Sequence, residues 1–355
     1  MALCSFQGKY YKIVNRRIIL DNLLIMKIST NEATKYSVDI LSKLGLSKEE
    51  SELITENLID AELSNRKTHG LVRLLGFKKS KDSEKLNTSE LSLNVISESE
   101  SHLHVDGAEK LGFGVVYKSL DKAFEKIKKN KLLAVGIRNA GISGFVGSYA
   151  RKATEQNLIF IGFNNSTGGL IPYGSIQEML GTNPLTVGIP TNDIPVILDM
   201  ASSQITWGDL LVAKNEGKSI PEGVALDTEG NATTDPAKAM EGGILPFSGH
   251  KGSGLAFIVE LLGGALTGAR VGNNVPGGCG TFYILIDPTL FRPIEDFKKD
   301  VETAIKELKE SPKMKGFEEI YFAGERSYKA RQENLKQGSF DISEKLYSDL
   351  QSLLN

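Results

Sequence analysis

The chain has 355 residues, of which 24% are charged and 40% hydrophobic, an ordinary globular composition with ample core for one large domain or two to three smaller ones. Its formal net charge of −2 excludes an overall basic field for nucleic acid or anionic lipid. Two cysteines, Cys4 and Cys279, exclude a disulfide framework or zinc spacing and fit a reducing cytoplasm, and no apolar run reaches membrane-spanning length.

Residues 1–25 begin with a basic stretch and an apolar run, but Asp21 and Asn22 interrupt it and no small-x-small cleavage site follows. The segment reads as an extension outside the fold, or as a tail of poor order, with a natural start at Met26. Periodicity predicts helices over 33–44 and 47–63. Gly45 stops the first, and Ser47 with Glu50 forms a capping box for the second. Leu53, Ile54, Leu58 and Ala61 mark the apolar stripe of that second helix.

The serine-rich run 80–100 reads as a loop or boundary. Alternation follows: strand 101–107, helix 111–129, strand 132–139, helix 145–156 and strand 158–165. Further strands are expected at 185–191, 195–201 and 280–288, and further helices at 204–216, 252–268, 294–309 and 342–354. The fold class is α/β. The expected organisation is a mainly helical region built from 26–95 and 310–355, and an α/β cofactor-binding region over 96–309.

Many of the 36 glycines crowd residues 105–280, where backbone turns tightly or approaches a ligand. The stretch "GHKGSG", residues 249–254, runs into a long apolar helix. Free N–H groups at a helix start, glycines and the charge of Lys251 suit a phosphate-bearing cofactor. A tight turn with a solvated lysine is the structural alternative. The two familiar phosphate motifs fail. The P-loop pattern ending at Gly217, Lys218 and Ser219 has Val212 where its first glycine must stand. The dinucleotide fingerprint at Gly112 and Gly114 has Tyr117 in its third glycine position.

In "AELSNRKTHGLVRL", His69 can pass a proton near neutral pH, and Arg73 can clamp a carboxylate. A continuous helix would put both on one face, with Thr68 fixing the backbone locally. A surface histidine and arginine are the alternative. Asp199 sits inside the apolar strand "VILDMA", where a buried carboxylate needs a partner or a role: orienting a histidine, or accepting backbone N–H bonds. His102 and His104 share a strand face without a third ligand at metal spacing, so no metal is expected. The glycine-rich turn in "RNAGISGFVGSYA" suits contact with a cofactor, and "EKIKKNK" suits a solvated helix face.

The segments "THGLVRL", "VDG", "LGTNPL", "VILDMA", "IPEGVALDTEGNATTDP", "LPFSGHKGSGLAFIVELLGGALTGA" and "AGERSYKAR" occur in an order that resembles the malate/L-lactate dehydrogenase-like family of NAD(P)-dependent oxidoreductases, from about residue 30 to the end. The resemblance implies a non-Rossmann NAD(P)-binding fold with a mixed central sheet. It also implies a homodimer with its site between subunits. The implied reaction is hydride transfer between NAD or NADP and a small 2-oxo or 2-hydroxy carboxylic acid, or a related cyclic imine. The family's proton-donating histidine falls on His69, with Thr68 in place of the usual serine. Its carboxylate-binding arginine falls on Arg73, with Asn164 also at the substrate, and its acidic residue falls on Asp199. Cofactor contacts fall on Ser143, Gly144, Asn183, Asp199, Met200, Ala201, His250, Lys251, Gly324, Glu325 and Arg326.

One departure stands out. Many members have Asn-His-Phe-Gly where this chain has Gly141, Ile142, Ser143 and Gly144. In some members that histidine is the proton acceptor. Its loss makes His69 the acid/base here, and leaves open an altered substrate, weakened activity, or a catalytically silent nucleotide or ligand sensor.

Overall fold

The computed structural model describes residues 25–215 and 217–354. The expectation for residues 1–25 therefore lies outside the described residues, apart from Ile25. The chain opens with β1 (Ile25–Ser29), α1 (Thr30–Lys43), α2 (Lys48–Leu63) and α3 (Arg73–Asp82). Then come β2 (Asn94–Glu98), β3 (His102–Asp106), α4 (Gly112–Asn130), β4 (Leu132–Ala140), α5 (Val146–Glu155) and β5 (Ile159–Asn164). The middle holds β6 (Leu185–Ile189), β7 (Val196–Met200), α6 (Trp207–Asn215), β8 (Ala225–Leu226), α7 (Pro236–Glu241), β9 (Gly243–Ile244) and α8 (His250–Glu260). The last elements are β10 (Cys279–Ile286), α9 (Ile294–Glu310), α10 (Glu325–Gln337), β11 (Ser339–Ser343) and α11 (Glu344–Leu354).

A seven-stranded mixed sheet in the order β2-β3-β4-β10-β5-β6-β7 forms the centre. Only β3 and β4 run parallel; the other neighbours are antiparallel. The late strand β10 is inserted between β4 and β5, with Tyr283 opposite Val135 on one side and Gly162 on the other. Period-2 alternation gives each strand two faces. On one face Leu103, Val105, Leu133, Val135, Phe160, Tyr283 and Leu285 pack against Val116, Leu120, Tyr149 and Ala150 of α4 and α5. On the other, Ile161, Phe163, Val187, Phe282 and Ile284 stay half-buried, and Phe163 stacks on Phe282 with ring centroids 6.1 Å apart.

A second core joins the two ends of the chain. β1 pairs antiparallel with β11, and Ile28, Ile40, Leu41, Ile54, Leu58, Phe340, Ile342 and Leu350 are buried together. Ser29 and Ser47 cap α1 and α2 by accepting from the backbone N–H of Glu32 and Glu50, so the serine half of the expected capping box is present, while the Glu50 carboxylate turns instead to the buried Lys110 ammonium at 2.7 Å. Two expectations need correction. Residues 80–100 are not all loop, because α3 runs to Asp82 and β2 pairs with β3. β2 is an edge strand exposed at all five positions, so it shows no buried alternation. The helix expected over 252–268 starts at His250 and relaxes into a π turn over Leu261–Ala265.

α2 is buried on several sides, polar positions included. Asp60 accepts from Arg331 of α10 at 2.8 Å and also pairs with Arg151 of α5, tying three helices together. Removing that carboxylate strands two guanidinium groups. Asp60→Ala should therefore cost about 3–5 kcal/mol, measured by urea unfolding; a loss within about 0.5 kcal/mol, the range of an ordinary surface change, would refute the structural role.

Candidate active site

The turn after α2 is the most constrained part of the site. Asn65 adopts the left-handed conformation at φ 56°, and the N–H groups of Asn65 and Arg66 return to the carbonyls of Glu62 and Ala61 at 3.0 and 2.7 Å. This is a Schellman ending, with asparagine in the position glycine usually takes. The chain then folds back over Glu62, only 1% exposed, whose carboxylate accepts from the Leu71 N–H at 2.8 Å and the Lys67 ammonium at 2.9 Å. A side chain at Gly70 would run into the Glu62 carboxylate, so only glycine fits there.

Residues Lys67–His69 form one 3₁₀ turn within this clamp. The Thr68 hydroxyl lies 3.1 Å from His69 Nδ1 and so helps fix the orientation of the imidazole. Thr68 also packs on the start of α6: a Cβ on Gly208 would lie 2.8 Å from Thr68 Cβ. Next to it, Asp209 caps α6 by accepting from the backbone N–H and hydroxyl of Thr206, both at 2.8 Å.

The expected continuous helix from His69 to Arg73 is absent. The 3₁₀ turn ends at His69, Gly70 is extended at ψ −144°, and α3 begins at Arg73. The bond from Leu71 to Glu62 forces this break. Arg73 is partly buried, and its Nε makes no hydrogen bond among the described residues. Burial alone holds its guanidinium below the ordinary arginine value. A desolvated cation with no ion-paired carboxylate among the described residues is a costly arrangement unless a ligand provides the anion.

A second group forms where β4 leads into α5. Asn57 of α2 donates to the Phe145 carbonyl at 3.1 Å and accepts from its N–H at 2.8 Å, clamping the loop that carries Ser143 and Gly144. Gly144 sits at φ 68°, and a side chain there would strike the Phe113 ring and the Asn57 amide oxygen. Asp199, near the end of β7, accepts from the Gly147 N–H at 2.8 Å and the Thr186 hydroxyl at 3.0 Å. Of the two sequence readings of Asp199, the backbone one is what the structure shows: the carboxylate accepts the Gly147 N–H, and its hydrogen bonds go to Gly147 and Thr186 rather than to a histidine. The residue is partly exposed while its carboxylate is enclosed. Burial raises its pKa, opposed by the Gly147 bond, the Arg66 charge and the Thr186 bond.

Asp199, Gly147, Phe145, Arg66 and Gly324 line one small cleft with an interior volume of about 20 Å³. Gly324, at φ 86°, comes so close to β7 that a Cβ would lie 2.6 Å from the Ile197 carbonyl oxygen. Glu325 turns inward to Lys309 and Lys329, and Arg326 lies 5.4 Å from the Tyr321 ring. The chain therefore gathers Asp199, Gly324 and the clamped loop of Ser143 and Gly144 from distant parts of the sequence. Met200 and Ala201 continue from Asp199 as partly exposed positions.

Other expected residues lie apart from this cleft's lining. His250 and Lys251 are exposed at the start of α8, with the His250 ring 6.0 Å from that of Tyr173. In the same motif, a side chain at Gly252 would strike the Phe247 carbonyl, so that glycine serves a close backbone crossing. Asn183 is fully buried; its amide is committed to Ser166, Ala256 and Glu260. Asn164 donates to Thr281 at 2.8 Å, and its buried Oδ1 has no partner among the described residues. Ile142 is 38% exposed. His102 bonds Ser97 and Ser99, His104 bonds the Thr267 carbonyl, and no metal-holding cluster occurs among the described residues. Sequence reasoning passed over Asn57 and Arg66. The only signal for Arg66 was its place three residues before His69.

The raised pKa of Asp199 has a definite sign. Above the ordinary value of 3.8 the unfolded chain has released this proton while the folded protein still holds it. Stability from this group therefore falls as pH rises from the unfolded toward the folded value. Asp199→Asn should flatten that part of the stability curve, read from urea midpoints at closely spaced pH values. An unchanged curve would refute the assignment.

Known proteins resemble most of the chain. The malate/(S)-sulfolactate dehydrogenase of Methanothermus fervidus is 34% identical over 338 residues, covering 92% of this chain and 97% of its own. The structure of sulfolactate dehydrogenase from Methanocaldococcus jannaschii superposes with a TM-score of 0.83 at 33% identity, covering 92% and 96%. Two others differ in the cofactor they are named for: a (2R)-3-sulfolactate dehydrogenase (NADP(+)) of Chromohalobacter salexigens, 32% identical over 69% of this chain and 73% of its own, and a ureidoglycolate dehydrogenase (NAD(+)) of Escherichia coli O157:H7, 28% identical over 84% and 88%. The pattern of the family described as Malate/L-lactate dehydrogenase matches residues 28–351, and the chain belongs to that family.

Proposed function

We propose that the chain is an NAD(P)-dependent dehydrogenase or reductase that interconverts a small 2-oxo acid and its 2-hydroxy acid, with His69 as proton donor and Arg73 as carboxylate clamp. Malate- and sulfolactate-like acids head the substrate class on the names of the relatives, and a cyclic imino acid is a related option. The observation that carries this reading is the partly buried Arg73, whose Nε lacks a hydrogen-bond partner among the described residues, four residues from a histidine held by its neighbour's hydroxyl.

The bound nicotinamide supplies or accepts the hydride. Arg73 holds the substrate carboxylate by paired hydrogen bonds and fixes which carbon faces the cofactor. His69 donates its Nε2 proton to the carbonyl oxygen as the carbon is reduced, and takes it back from the hydroxyl in the reverse direction. Thr68 holds the imidazole at Nδ1. Asp199 orders the start of α5 through Gly147. The cofactor is read as lying against Asp199 and Gly324, outside a doubly wound parallel frame. The residues present fit such a group, since the cleft joins two helix starts, Arg66 and an aromatic side chain, Tyr328.

A second copy is read as covering the half-buried sheet face of Phe163, Phe282 and Ile284. Phe257, Ile258 and Leu266 of α8 and its π extension are 46%, 49% and 59% exposed, and Leu266 shares a hollow with Phe282. An apolar surface of this kind is unusual on a monomer. The buried free thiol of Cys279 suits a reducing cytoplasm.

Purified protein, followed at the reduced-nicotinamide band with NADH or NADPH and a panel of 2-oxo acids, should show turnover. His69→Ala should lower kcat by about 10²–10⁴-fold with cofactor affinity nearly unchanged; equal turnover would sink the assignment. Cofactor binding without turnover across the panel would point to a sensor. Sedimentation equilibrium should give a dimer, and Ile258→Glu should shift it toward monomer; a wild-type monomer at micromolar concentration would overturn the dimer reading.

A further inference from the structure

The first turn of α10 lines the cleft through Gly324, Ser327 and Tyr328. The two halves of this helix are anchored differently. Arg331 donates to Asp60 and Asn334 to the Leu63 carbonyl, both at 2.8 Å, so the second half is fixed to α2. The first turn meets β7 through one backbone bond, from the Ile197 N–H to the Ala323 carbonyl at 3.0 Å, and through the close packing of Gly324. Residues 311–324, which lead into it from α9, contain no helix or strand.

A ring of alternating charge spans that connection. Lys309, one residue before α9 ends, reaches Glu325 at 2.5 Å and Glu319 at 3.0 Å. Lys329 closes the ring from within α10, 2.8 Å from Glu325 and 3.4 Å from Glu319. The Tyr321 ring lies under both ammonium groups, 5.5 Å from Lys309 and 5.9 Å from Lys329. Glu325 is only 2% exposed, accepts a further bond from the Phe322 N–H, and is not among the residues that line the cleft.

The two lysines act differently. Lys329 stands four residues after Glu325 on the same helix, so that pair supports α10 without placing it. Lys309 belongs to α9, so its bond to Glu325 sets where α10 begins relative to α9. Isolated surface ion pairs contribute little. Here one carboxylate is buried and the pairs are linked, so the geometry of each restricts the others.

We propose that Lys309 is a positioning residue for dinucleotide binding, acting through Glu325 to hold the first turn of α10 against β7. This rests on the cofactor reading above, and it gives Glu325 an indirect role in place of a contact.

The test uses the purified full chain, with NADH and NADPH binding read by titration calorimetry beside steady-state kinetics. Lys309→Met keeps the aliphatic stem and removes the charge, while Lys329 still neutralises Glu325. It should weaken the preferred dinucleotide about 3- to 30-fold, with kcat and the KM for the 2-oxo acid at saturating cofactor held within about twofold. The urea midpoint should stay in place, and Lys309→Arg should recover most of the affinity. In the free protein, amide exchange over residues 324–328 should speed up in Lys309→Met. Glu325→Gln should weaken binding by itself and add nothing in the Lys309→Met background, because both changes break the same link. Unchanged affinity or unchanged exchange in Lys309→Met overturns the proposal, and so does an affinity loss matched by a lower urea midpoint. A further loss when Glu325→Gln is added overturns it as well and makes Glu325 a direct contact. Failure of the wild-type chain to bind either dinucleotide fails the cofactor reading itself, and the Lys309 assignment with it.

Discussion

The site depends on one buried carboxylate. Glu62 lies in the last turn of α2, where the helix dipole disfavours a negative charge and burial adds a desolvation penalty. It is tolerated because the returning chain brings it the Lys67 ammonium and the Leu71 N–H. The same ammonium donates to the Asp341 carbonyl at 2.6 Å and lies 5.2 Å from the Phe340 ring. The turn bearing Arg66, Thr68 and His69 is thus fixed to β11 as well as to α2. In the role proposed for His69, a histidine on a loop needs this kind of second support, because misplacement by about 1 Å can cost about 10²-fold in rate.

α2 extends that logic over two turns. Asn57 holds the loop of Ser143 and Gly144, Asp60 holds α5 and α10, and Glu62 holds the His69 turn. An apolar stripe would have packed the helix as well, and replacing buried ionic groups by packed apolar ones often leaves stability unchanged or improves it. What the polar groups add is position. Each bond fixes the distance of one site segment from the same helix, so the Ser143–Gly144 loop, the cleft wall and the His69 turn share a common frame.

The strands and helices of the centre were legible because their burial matches their period. β4 alternates buried and partly buried residues through most of its length, and α4 buries Val116, Leu120 and Ile127. α10 was not legible, because "ERSYKARQENLKQ" is charged on most sides and buries only Glu325. β1 and β11 are short, and each needs a partner more than 300 residues away. The insertion of β10 between β4 and β5 has no local signal at all. At the site, residue types pointed to His69, Arg73 and Asp199, yet the helical link from His69 to Arg73 was misread. Gly70 is ordinary within "THGLVRL", and its constraint comes from Glu62, eight residues back.

The charged groups Asp199 and Arg73 at the site are held by the fold rather than by one another. A flexible cation near a carboxylate would close on it. Here Asp199 is already engaged by Gly147 and Thr186, and Arg73 starts a helix whose backbone is fixed by the turn before it. In the proposed reading, a substrate carboxylate at Arg73 would offset the desolvation of that guanidinium. Binding energy of that origin is available for orienting the reacting groups, since little of it is needed to reorganise the protein.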